Sequence, residues 1–180
     1  MSRTNHICLM AKYNEWMNAK LYEAVMGLPE EELVANKNAP FGSILGILNH
    51  LIIGDIIWLK RFATHPANYL VLKSICDLPT PTSLDQVLFT DIHGLSNQRK
   101  LLDQIITEWG HTVSERDLDH PLSYTNTKGV VASKNFFSLV THLFNHQTHH
   151  RGQVTTLLWQ SNVDMGITDL VALIPDEPVA

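Results

Sequence analysis

Residues 43–62, SILGILNHLIIGDIIWLKRF, constrain the fold more than any other stretch. Ser43 is placed to cap a helix that runs to about Thr64. That helix is apolar on nearly every side, so other elements must cover it all round and it should be central. Two polar residues interrupt it, His50 and Asp55. His50 has Gly46 one turn before it and Gly54 one turn after. Each glycine costs a helix about 1 kcal/mol relative to alanine, and both leave space around the imidazole. A buried imidazole is costly without a partner, so the rest of the chain should supply one.

The stretch Ser138–Gln160, SLVTHLFNHQTHHRGQVTTLLWQ, supplies candidates. Positions four apart lie on one helix face, one turn along. His142, His146 and His150 therefore form a stripe, and His149 points elsewhere. Leu139, Leu143, Val154, Leu157 and Leu158 show that this helix packs against a core close to the stripe. Neutral imidazoles one turn apart can converge on a metal ion, and imidazole suits zinc, nickel, iron and copper. His50 is the favoured further ligand. His142 is open at this point, either a fourth ligand or a residue of the pocket wall. Without a carboxylate ligand, a three-histidine site keeps a coordination position for water or substrate. Such a metal lowers the pKa of bound water or holds a thiolate deprotonated. Ligand histidines must be neutral, so occupancy should fall as pH drops through the imidazole range.

Other residues carry two readings each. Asp55 would orient a ligand through its second nitrogen, or cap a helix or pair with a buried arginine. Arg151 would hold an anionic substrate group in bidentate fashion, or sit in a surface ion pair. Gly152 suggests close approach of a neighbouring helix or a second subunit. Tyr13 and Trp16 would line a pocket or simply pack. No residue is assigned a catalytic role. Glu108 and His111 form a lone Glu-x-x-His pair, and residues 133–162 contain no Asp or Glu, which excludes a dinuclear carboxylate site. HExxH and GxSxG motifs are absent.

At 180 residues the chain is long enough for one domain with a sizeable core, read as residues 1–180. A net charge of -5 with no basic stripe argues against nucleic acid as partner. No apolar run is long enough to span a bilayer, and no secretory signal is evident. Cys8 and Cys76 are isolated, so the expected setting is a reducing cytoplasm.

In chain order, a first helix starts at a Thr4 or Asn5 cap and ends near Gly27–Pro29. Pro29–Gly42 is a loop with one short turn. His65–Pro81 is a long connection with a helical turn around residues 69–75. Thr82 or Ser83 opens a third helix that reaches Val113, with His93 solvated. Residues 116–133 form a small hairpin or extended loop. Ser133 caps the histidine helix, which ends near Ser161–Asn162. Residues 167–173 make a last turn, and Pro175 and Pro178 mark a tail. The expected architecture is all-α, a four-helix bundle with a long crossover and a small hairpin or loop appendage.

HLFNHQTHHRGQ (142–153), ILNHLIIGDIIWLKRF (47–62) and the opening YNEWMNAKLYEAVMGLP (13–29) together resemble the DinB-like (DinB/YfiT) family of metal-dependent enzymes. The resemblance covers about residues 6–173. It implies a four-helix bundle, often a homodimer, that binds one divalent metal ion through three histidines, here His50, His146 and His150. His142, Asp55, Arg151, Tyr13 and Trp16 are then residues of the second shell or pocket. Some relatives use a low-molecular-weight thiol as co-substrate in transfer or isomerisation. The expected function is an open-site metalloenzyme that activates water or such a thiol against a small molecule. The competing expectation is a non-catalytic, stress-related protein that binds a metal or small ligand.

Overall fold

The computed structural model describes residues 1–177, so Pro178 of the expected tail lies outside the described residues. In chain order the elements are helices α1 (Arg3–Met26), α2 (Glu30–Val34), α3 (Ile44–Phe62) and α4 (Lys73–Cys76), then α5 (Ile92–Thr112). Strands β1 (Pro121–Thr125) and β2 (Val131–Asn135) follow, and α6 (Phe136–Gln160) closes the series. Short 3-10 turns occupy residues 70–72, 117–119 and 170–173. The chain is thus mostly helical with one small sheet.

Helix α3 packs against α5 and α6, and α1 packs against the same two. Every residue of α3 from Ile44 to Ile56 except Gly46 is buried, as a helix without a polar face demands. At one end of the core Phe62 packs on Trp109 and Phe136, with ring centroids 5.3 and 5.2 Å apart. Aromatic pairs at these spacings add about 0.5–1.5 kcal/mol beyond their burial.

One polar layer ties the four long helices together. Arg99 of α5 donates to Asp55 of α3 at 2.5 Å and lies 3.0 Å from Asp103, one turn along its own helix. Asp103 also accepts from Asn14 and Asn18 of α1, at 3.0 and 2.8 Å. Arg151 of α6 donates to the side-chain oxygens of the same two asparagines. Gln147 of α6 donates to the second oxygen of Asp55. Two arginines and two aspartates so balance in charge inside the core. Burial still pushes the Asp103 carboxyl up to about 6 and the Arg151 guanidinium down to about 10.

Three expected boundaries move, each because a side chain nearby uses the backbone differently. The first helix is capped by Ser2, whose hydroxyl accepts from the Asn5 amide. Asn135, not Ser133, caps α6, since Ser133 is paired with Ser123 in the hairpin. The third long helix starts well after the expected Thr82 or Ser83 cap, at Ile92 with Asp91 as cap. Thr82 and Gln86 do exchange a cap-like bond, the Thr82 amide donating to the Gln86 side chain. The backbone beyond it is held by α3 instead. The Asn49 side-chain oxygen takes the amides of Leu88 and Phe89, and its amide group donates to the Phe89 carbonyl. These side-chain bonds compete with the helical ladder and win. The expected hairpin forms, with Pro121–Thr125 antiparallel to Val131–Asn135 and Gly129 at φ +78° in the turn.

His65, just after α3, is buried against Phe136, with His120, Tyr69 and Asp117 around it. Its Nδ1 accepts from the Ala67 amide at 3.0 Å, so a second proton can go on only by breaking that bond. Burial, with His120 alongside, holds this imidazole below its usual value. The unfolded chain therefore binds the proton more readily, and the stabilisation is complete above about pH 6.5 and lost as pH falls below it. One such proton gives a slope of at most about 1.4 kcal/mol per pH unit. Denaturant titrations of wild type and His65→Gln at pH 7.5 and 5 should diverge on the wild-type side. Equal pH slopes would remove His65 as a source of acid sensitivity.

Candidate metal centre

Helices α3 and α6 face each other with Gly54 against His146. A Cβ on Gly54 would lie 2.8 Å from His146 Cε1, so only glycine leaves room for that imidazole. The next residues along, Asp55 and Gln147, are hydrogen-bonded and fix the register of the two helices. Gly46 serves a different purpose from the expected one: its missing side chain admits the Phe41 carbonyl. Neither glycine clears space for His50.

Three imidazoles meet at this crossing. His50, His146 and His150 each offer a ring nitrogen, all within 4.8 Å of one another. His50 and His150 are buried, and His146 is half-buried. His50 Nδ1 lies 2.8 Å from the Leu84 carbonyl, which can only accept, so Nδ1 carries the proton and Nε2 the lone pair. His150 Nδ1 likewise faces the Gln153 side-chain oxygen at 2.8 Å. His146 Nε2 is 3.0 Å from His50 Nε2, and its buried Nδ1 has no hydrogen-bond partner. Two nitrogens at that spacing need a proton or a cation between them. Tetrahedral zinc with Zn–N of 2.0–2.1 Å sets its ligands about 3.3 Å apart, so the donor set fits a small divalent ion. Burial first, and the neighbouring imidazoles second, push His146 down to about 3. Burial also lowers His50 and His150, so all three are neutral near pH 7 and available as ligands.

Phe41 forms one wall. Its ring stacks on His50 with centroids 3.8 Å apart and a 16° tilt, and meets His150 edge-on at 5.7 Å. Its backbone sits at φ +60°, a costly conformation for a bulky residue. The turn into α3 thus holds strain while pressing this ring onto the imidazole. On the other side a cavity of about 280 Å³ opens, lined by His50, His146, His142, Trp58, Arg61 and Tyr124 among others. His142 is exposed, edge-on to Trp58 at 5.0 Å. Burial first and Arg61 second lower its pKa.

Four expected pocket residues lie elsewhere. Asp55 bonds to Arg99 and Gln147 rather than to an imidazole. Arg151 is buried on the α1 side of α6, where the two asparagines take its donors, so it is neither a surface ion pair nor part of this cavity. Tyr13 donates to the Thr168 carbonyl at 2.7 Å, under the last segment. Trp16 lies beside Tyr13 and Lys20 and does not line the cavity. Among the described residues a Cβ on Gly152 would meet nothing within 4 Å beyond its own helix, so no other element of theirs approaches it closely. The residues missed by sequence reasoning are Phe41, Leu84 and Gln153. Only Gln153 left a signal, as the residue one turn after His150.

A mostly helical chain with three histidines gathered between two long helices defines a class, and the family comparison names it. The chain belongs to the DinB family, whose model matches residues 1–176. It is similar to Protein DinB of Bacillus subtilis (strain 168), 24% identical over 160 residues, which is 88% of this chain and 87% of that protein. No solved structure matches the chain. Among the described residues no helix is long and apolar enough to cross a membrane.

Proposed function

We propose that this chain is a single-domain (1–180) four-helix-bundle metalloenzyme of the cytoplasm. His50, His146 and His150 hold one divalent ion, and the substrate is a small molecule. The observation that carries this reading is the convergence of His50 Nε2 and His146 Nε2 at 3.0 Å, with the Nδ1 atoms of His50 and His150 turned away to oxygen acceptors. When bound, the ion supplies a Lewis acid that activates water or a low-molecular-weight thiol. The protein's own residues do the rest. The Leu84 carbonyl and Gln153 fix ring tautomers and orientation, which is how outer partners tune a metal ligand. Phe41 covers one side of His50 from water, and the cavity leaves the other side open to a small substrate. A homodimer is part of this reading, and Trp159, 68% exposed at the end of α6, is a surface that a second copy would cover.

The test is a turnover screen of metal-loaded protein. Small thiols are paired with electrophiles, simple esters and amides are offered for hydrolysis, and a chelated control runs throughout. Turnover that a chelator abolishes and added metal restores is the expected result. Stoichiometric, reversible metal binding with no turnover across the panel would favour a non-catalytic metal- or ligand-binding protein and overturn the enzyme reading.

A further inference from the structure

The cavity beside the histidines contains a cation with no counter-ion. Arg61 of α3 has its guanidinium 4.6 Å from the Trp58 ring and 4.7 Å from the Tyr124 ring, held by both. One of its nitrogens donates to the Thr125 carbonyl at 3.1 Å. Among the described residues it makes no other hydrogen bond, and no carboxylate pairs with it. The whole chain carries 18 acidic residues against 13 Lys and Arg. Even so, no acidic side chain lines this cavity or the adjoining one, which runs along residues 80–84 and the hairpin. The neighbouring cation is otherwise engaged, Lys60 donating to the carbonyls of Cys76 and Leu78. This space is thus free of negative charge, and fixed in it is a guanidinium with unused donors.

We propose that Arg61 is the recognition site for an anionic oxygen group of the substrate, a carboxylate or a phosphate. The Trp58 and Tyr124 rings and the Thr125 carbonyl hold the guanidinium in place, and a pre-organised planar fork favours bidentate binding of such groups. Trp58 and Tyr124 give an apolar wall for the part of the substrate next to the anion. The assignment as a substrate subsite rests on the metal reading above, whereas the anion preference itself does not.

Calorimetric titration of the full-length chain with benzoate, phenyl phosphate and the neutral isostere benzamide tests this, with protein as purified and after chelation. Benzoate or phenyl phosphate should bind about tenfold or more tightly than benzamide, the effect of a charge-assisted pair. Which anion binds more tightly identifies the group. Arg61→Gln should erase the preference, and Arg61→Lys should keep only part of it. Circular dichroism of both variants checks that the fold survives. A preference that survives in folded Arg61→Gln overturns the proposal. So does a preference lost on chelation, which would place the anion on the metal and leave the metal reading intact. Equal binding of all three probes by the wild type overturns it as well. A metal-free protein that still prefers the anions through Arg61 supports the anion site even where the metal reading fails.

Discussion

The purified protein should carry about one divalent metal ion per chain, and His146→Ala should carry almost none. His146 is the middle member of the cluster, with His50 Nε2 at 3.0 Å and the His150 ring centroid at 4.5 Å. Removing it leaves two imidazoles on different helices, so affinity should drop beyond the roughly 10–100-fold that loss of an outer partner costs. His50→Ala and His150→Ala should lose metal comparably, while the exposed His93→Ala keeps it. Gly54→Ala is a sharper probe, because alanine favours the helix by about 1 kcal/mol and the new methyl meets the His146 ring. Metal content should fall in that variant without loss of folded protein. Elemental analysis of dialysed samples reads all five. Undiminished metal in both His146→Ala and His150→Ala would sink the assignment.

That the histidines of two distant segments meet was legible in the sequence, because two regularities carried it. The spacing of His142, His146 and His150 fixed a face of α6, and an imidazole inside the apolar α3 required a partner. The environment of the site was less legible. Phe41 reaches His50 through an unusual backbone conformation that no local residue pattern announces. Leu84 contributes a carbonyl, and carbonyls are the same in every residue. The late start of α5 has the same origin. The local signal at Thr82–Gln86 is a genuine capping pattern, but Asn49, forty residues away along the chain from Phe89, takes the backbone groups. Long-range side-chain bonds of this kind leave no periodicity. Asp55 and Arg151 were ambiguous for a related reason. A charged residue on a buried helix announces that it has a partner, but not which one.

Asp55→Ala should be among the most destabilising single substitutions in the protein, at about 3–5 kcal/mol, because it leaves Arg99 buried without its closest counter-ion. Asp55 and Arg99 are both at most 2% exposed, so water cannot replace the lost carboxylate. Against a total stability of about 5–15 kcal/mol, that loss brings the fold near its limit. The melting temperature should fall by roughly 6–20 °C, given about 2–4 °C per kcal/mol in a chain of this size. Asp103 cannot compensate, since Arg99, Asn14 and Asn18 already engage its carboxylate. In a double-mutant cycle, adding Arg99→Met to Asp55→Ala should cost less than the sum of the two, because the second change removes the stranded charge. Denaturant unfolding in both single variants and the double reads this directly. A cost below about 1 kcal/mol for Asp55→Ala would mean that the layer is not what holds α3 against α5, since exposed pairs contribute no more than that. The same series separates the two roles the sequence left open for Asp55. If its work is to hold Arg99 and Gln147, then Asp55→Asn, measured cold enough to be folded, should be strongly destabilised yet keep its metal. Metal loss with unchanged stability would instead make Asp55 an orienting group for a histidine, and its place in the polar layer would be incidental.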